Sequence, residues 1–91
     1  MTAVKVQLGK TVMTANAWRS LATLDVLKAL GRHQAGDWGD SLCAEDRRSN
    51  DRAVKSGERI LSEYHDSKRT RFWIITEWDR SVTTLLLPDE Y

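Results

Sequence analysis

The sequence predicts an α+β fold: a small antiparallel sheet with about three short helices packed on one face. Three observations predict it. Apolar and polar residues alternate near the N-terminus, at Val4, Val6 and Leu8. Helical spacing and capping residues fill the stretch from Thr14 to Gly57. From Arg59 the period changes to that of strands separated by short polar turns. The sheet therefore combines an N-terminal strand with a C-terminal three-stranded meander.

The elements follow in order. Val4–Leu8 reads as a half-buried strand, which Lys10–Met13 can continue beyond Gly9. Thr14 suits an N-cap, since its hydroxyl can accept a free backbone N–H at the start of the helix after it. Trp18, Leu21 and Ala22 fall on one face of that helix. Asp25 can cap a second helix carrying Val26, Leu27 and Leu30, and Gly31 can stop it. Residues 33–40 read as a loop, because two Gly and two Asp flank Trp38. Ser41 can start a third helix running to Ser56. Glu45 and Asp46 lie near its start and Arg52 and Lys55 near its end, which complements the helix dipole. Gly57 fits the position just past the end.

Arg59–His65 is the first meander strand, and Asp66–Thr70 is its turn. Arg71–Trp78 is the strongest strand in the chain, carrying Phe72, Trp73, Ile74, Ile75 and Trp78. Asp79-Arg80 connects it to Ser81–Leu87, and Pro88 ends the last strand. No repeat, linker or low-complexity segment interrupts residues 1–91, so the chain reads as a single domain.

Composition narrows the function. The 91 residues are 41% hydrophobic, enough for one small core, and 30% charged. Fourteen Lys+Arg against 13 Asp+Glu give a net charge of +1, which argues against a strongly basic nucleic-acid binder. A single Cys cannot form an intrachain disulfide and suits a reducing cytoplasm. No transmembrane run or signal-peptide core is expected. The spacing of His33, Asp37, Asp40 and Asp46 matches no zinc or EF-hand pattern. No phosphate-binding glycine loop is present, and nothing places a base beside Cys43, which reads as a small buried thiol. No enzyme activity, cofactor or metal is expected.

The candidate binding residues form three groups. Asp37, Trp38 and Asp40 belong to the Gly36–Asp40 loop. It reads either as a binding loop that presents Trp38 or as a connection whose Trp plugs the core. The two Asp residues are expected to hold the loop near water, leaving Trp38 partly packed and partly presented. Arg47, Arg48 and Arg52 on the third helix, with Lys68–Arg71, are the basic residues that could meet phosphates if they converge, although acidic residues are interleaved with them. Trp73 and Trp78 lie on a strand with large apolar groups on both faces. Its second face needs a cover from another chain or exposes a patch.

Several segments resemble a family of small bacterial proteins labelled "plasmid-related", found on plasmids, prophages and integrative elements. They are Arg32–Asp40, Ala44–Asn50, Arg59–Ser62 and Trp73–Tyr91, and the similarity extends over nearly the whole chain. The resemblance brings no catalytic residues with it. It implies a cytoplasmic protein of mobile DNA. Short proteins of such elements often bind host machinery, including CRISPR and restriction complexes. The expected function is thus a protein-binding module, with inhibition of a host defence complex as the specific form. A homodimer is a further expectation. Nucleic-acid binding through the basic helix and turn is the alternative.

Overall fold

A computed structural model describes residues 4–39 and 41–91. Strand β1 (Lys10–Met13) leads into helix α1 (Ala15–Ser20), helix α2 (Thr23–Gln34) and helix α3 (Ala44–Ser56). Strands β2 (Ile60–His65), β3 (Arg71–Thr76) and β4 (Val82–Leu86) follow, and a 3₁₀ turn spans Pro88–Glu90. The α+β architecture is the one the sequence predicts. The strand order is β1-β4-β3-β2, and the meander is antiparallel throughout. β1 joins β4 in parallel, so the sheet is mixed rather than wholly antiparallel. No hairpin links these two strands, so no turn constrains their relative direction.

Several local signals act as their chemistry dictates. The Thr14 hydroxyl accepts the Ala17 N–H at 3.1 Å and caps α1. Gly57 ends α3 with φ 76°, a left-handed conformation that glycine adopts without strain. Other boundaries differ from expectation. The N-terminal strand is Lys10–Met13 alone, although Val6 is fully buried. Asp25 does not cap α2; its carboxylate accepts the Ser67 N–H and hydroxyl across the fold. α2 runs through Gly31 and ends only at Gln34, because Gly36 closes it in the left-handed region at φ 85°. The Asp37 N–H reaches the Arg32 carbonyl at 2.9 Å and the Gly36 N–H reaches the His33 carbonyl at 3.2 Å, a Schellman motif. β3 ends at Thr76, and residues 77–81 form a longer turn than Asp79-Arg80 alone.

The extension of α2 decides what the core contains. It carries His33 into the interior, where the side chain is fully buried. His33 Nδ1 lies 2.6 Å from Ser62 Oγ, and Nε2 lies 2.8 Å from Thr76 Oγ1. Thr76 Oγ1 is 2.7 Å from Thr83 Oγ1, and the Thr83 hydroxyl donates to the Leu8 carbonyl at 2.7 Å. A carbonyl only accepts, and each hydroxyl has one proton. The whole chain of bonds is therefore polarised one way. Thr83 donates to Leu8, Thr76 to Thr83, His33 Nε2–H to Thr76, and Ser62 to His33 Nδ1. Burial lowers the His33 pKa to about 4, so at neutral pH the imidazole carries one proton, on Nε2, and Nδ1 accepts from Ser62.

Apolar clusters flank this polar seam. On one side Ala17, Leu21, Val26 and Ala29 of α1 and α2 pack against Tyr64, Phe72, Ile74 and Leu85. On the other side Val6, Trp38, Ala53 and Ile60 form a second cluster beneath α3. All three helices thus cover one face of the sheet.

Burial, together with the nearby Arg80 charge, lowers the His33 pKa from 6.5 to about 4. The unfolded chain then takes up a proton that the folded chain refuses. Stability is complete above about pH 6.5, falls as pH drops through the window to about 4, and loses about 3 kcal/mol in all. Urea midpoints should fall between pH 7 and pH 5, above the range where carboxylates titrate; a flat profile there contradicts the assignment.

Two glycines should respond in opposite directions. Gly31 lies exposed in α2 with open space around it, so Gly31→Ala should stabilise by about 0.5–1 kcal/mol. At Gly39, with φ 96°, an added Cβ would overlap the Glu63 carbonyl, so Gly39→Ala should cost more than about 2 kcal/mol. Thermal denaturation of both variants measures the contrast.

Candidate docking surface

The loop after α2 is built for structure. The Asp37 carboxylate accepts from Arg32 Nε at 2.7 Å, from Arg32 Nη2 at 3.1 Å and from the Gly39 N–H at 3.2 Å. The Arg32 hydrogen bonds hold its pKa below the usual carboxylate range, and the Gly39 N–H adds to them. The Tyr64 hydroxyl donates to the Asp37 carbonyl at 2.6 Å. Trp38 is only 3% exposed, which corrects the expectation of a half-presented side chain. Gly39 lets the backbone lie close against β2, and the Glu63 N–H donates to the Trp38 carbonyl at 3.2 Å. The indole sits edge-on to His33 and donates Nε1–H to Asp51 of α3 at 2.9 Å. With its one polar atom satisfied, the ring can enter the core completely. The binding-loop reading loses its anchor, and Asp40 lies outside the described residues.

The basic residues do not all converge. Arg47 folds back, Nε donating to the Leu42 carbonyl at 2.9 Å. Arg48 and Arg52 are exposed on α3. The C-terminal end of α3 is fastened to the β3–β4 turn, where Arg80 Nη2 donates to the Ala53 carbonyl at 2.8 Å. Lys68–Arg71 lie at the β2–β3 turn, at the opposite end of the sheet. Arg52 and that turn are therefore not brought together. Cys43 is exposed at the start of α3, not the buried thiol expected.

The second face of the sheet is partly covered by the chain itself. Trp73 is half-buried, donates Nε1–H to Glu63 at 2.8 Å and meets the Tyr91 ring edge-on. The Arg59 guanidinium lies over that same Tyr91 ring, 5.4 Å from its centroid. Ile75 is buried, so β3 does not expose the broad patch anticipated. Trp78 lies in the β3–β4 turn rather than on the strand and is 66% exposed.

The two edges of the sheet are treated differently, and that difference locates a surface. At the β2 edge, the Asn50 side chain substitutes for a neighbouring strand. Its Nδ2 donates to the Leu61 carbonyl at 2.8 Å, and its Oδ1 accepts the Leu61 N–H at 3.4 Å. The Trp38 carbonyl occupies the next outward group, the Glu63 N–H. Unpaired edges invite association, and this one is occupied at Leu61 and at the Glu63 N–H. Among the described residues no strand lies beyond β1. Beside that edge runs an apolar groove of about 520 Å³, bounded by Met13, Trp18, Val26 and Leu30. A smaller hollow, of about 190 Å³, adjoins it at Leu21 and Leu27. Trp18 and Leu27, which line these hollows, stand 69% and 58% exposed, and Leu24 on α2 is 71% exposed.

Sequence reasoning placed Trp18 on the packed face of α1 and missed this surface. One signal was present: α2 carries large apolar residues on two faces. Val26, Ala29 and His33 point inward, whereas Leu24 and Leu27 point outward.

Closing the β2 edge should matter measurably. Asn50→Ala leaves the Leu61 N–H and carbonyl without their partner, at a cost of about 1–3 kcal/mol. Denaturant unfolding should show that loss, and light scattering should show greater self-association as the edge opens; unchanged values would contradict the role given to Asn50. Comparison with family models, with curated proteins and with solved structures finds no match, so the assignment of this surface rests on its own geometry.

Proposed function

We propose that the chain is a non-enzymatic protein-binding module that docks through the β1 edge, the adjoining groove and the exposed side chains of Trp18 and Leu27. One observation carries the reading: large apolar groups cluster in water beside an open strand edge. Each gains free energy when a partner removes it from water, and a Trp at such a site is the residue type that dominates interface energetics. The resemblance to proteins of mobile DNA makes a host defence complex, of the CRISPR or restriction type, the first partner to test. The basic residues favour nucleic acid less, because Arg52 and the Lys68–Arg71 turn lie at opposite ends of the sheet.

Trp18→Ser and Leu27→Asp should each change stability by less than about 0.5 kcal/mol, since both side chains are exposed. Each should weaken partner binding tenfold or more. Co-elution of purified surveillance or restriction complexes with the wild type and the variants reads this directly. Equal binding by the variants removes the proposed surface. Absence of any complex, together with no protection of phage in cells, removes the defence role. A gel shift that weakens steeply with salt would favour nucleic acid instead.

A further inference from the structure

We infer that β1 is the seam of a homodimer, pairing antiparallel with β1 of a second copy about a two-fold axis at Val12. This deepens the protein-binding reading, on which it rests, by naming the occupant of the strand edge.

The backbone supplies the first argument. The Lys10 N–H donates to the Ser81 carbonyl at 2.9 Å, and the Thr14 N–H donates to the Leu85 carbonyl at 3.1 Å. In a parallel ladder, alternate residues turn their backbone groups to the same neighbour. Lys10, Val12 and Thr14 therefore face β4, and Thr11 and Met13 turn their N–H and C=O groups outward. Set antiparallel with Thr11 opposite Met13, two copies of β1 exchange all of these groups symmetrically. The pattern is self-complementary, as a two-fold interface requires.

The register supplies the second. It places Lys10 opposite Thr14 of the second copy. The Thr14 hydroxyl donates to the Glu90 carboxylate at 2.7 Å, and the Leu87 N–H donates to the same oxygen at 2.8 Å. These bonds hold the Glu90 pKa below its usual value, so the group is charged. Each Lys10 ammonium thus meets a fixed carboxylate across the seam, twice by symmetry, and no like charges lie directly opposite.

The side chains supply the third. Thr11 and Met13 line the groove beside the helices. Pairing about an axis perpendicular to the sheet keeps both helical layers on one side. The second copy's Thr11 and Met13 then close the mouth of the groove near Trp18, and Leu24 is not part of the strand seam.

The register predicts Val12 opposite Val12 as a non-hydrogen-bonded pair, with Cα atoms about 4.5 Å apart, within disulfide range. In a Cys43→Ser background, Val12→Cys should cross-link readily under mild oxidation, whereas Lys10→Cys, displaced along the seam from its own copy, should not. Sedimentation equilibrium should show a dimer for the wild type. Thr11→Pro removes an outward N–H and no bond to β4, so it should keep its thermal transition and dimerise at least tenfold more weakly. A wild type that stays monomeric at the highest soluble concentration overturns the inference, as does Thr11→Pro dimerising unchanged or cross-linking without preference for Val12→Cys. A monomer whose Trp18 and Leu27 variants still lose a heterologous partner defeats the dimer alone and leaves the protein-binding reading in place.

Discussion

The buried hydrogen-bond chain through His33 is the constraint on which the rest of the structure depends. It joins α2 to β2 through Ser62, to β3 through Thr76, and, through Thr83, to β4 and the N-terminal segment at Leu8. Apolar packing tolerates small sliding, whereas a polarised chain of short hydrogen bonds does not. Removing any member leaves a buried partner unsatisfied, at about 1–3 kcal/mol. The chain therefore fixes where the last turn of α2 sits over the sheet. The Schellman ending, the Asp37 contacts and the burial of Trp38 against His33 follow from that position.

The same anchoring explains the unequal edges. His33 draws α2 toward β2 and β3, and α3 and the Trp38 loop crowd the β2 edge from beside it. Over β1 and β4 the helical layer is thinner. α1 has six residues and buries only Ala17. Two strands' width of helix-facing surface is thus left to a short helix and one flank of α2, and the gap between them is the groove. The docking surface is a consequence of where the polar seam holds the helices.

What the sequence disclosed was local. Thr14, Gly57 and the meander follow from capping, left-handed backbone and β-propensity, each of which acts within a few residues. The errors came where distant partners decided. Gly31 resembled a helix stop, but stopping there would have left His33 outside the core and the Ser62–Thr76–Thr83 hydroxyls without their link. Trp38 looked half-exposed because Asp37 is costly to bury, yet Asp37 stays at the surface on Arg32 while Asp51, remote in sequence, satisfies the indole. Trp78 continued an apolar strand pattern, but Arg80 adopts a left-handed conformation and uses its guanidinium to close α3, which fixes the turn two residues earlier. The candidate site was missed for a related reason. Trp18 and Leu21 are both suited to a core, and only the geometry of the α1–α2 corner sends Leu21 inward and Trp18 out.

The placement of Trp18, Leu24 and Leu27 also has an energetic side. A domain of 91 residues has few large apolar groups to spare. Burying any of the three would contribute about 1.5–3 kcal/mol. The fold instead fills its interior with Thr76, Thr83, Ser62 and His33, polar groups that contribute only when every hydrogen bond is made. Such an interior specifies one position for α2 more sharply than an apolar one would. Of the apolar groups left outside, Trp18 and Leu27 border the edge that the helices do not close. Burial energy not realised in folding the monomer is available there for association, which links the rigid seam inside the molecule to the surface it presents.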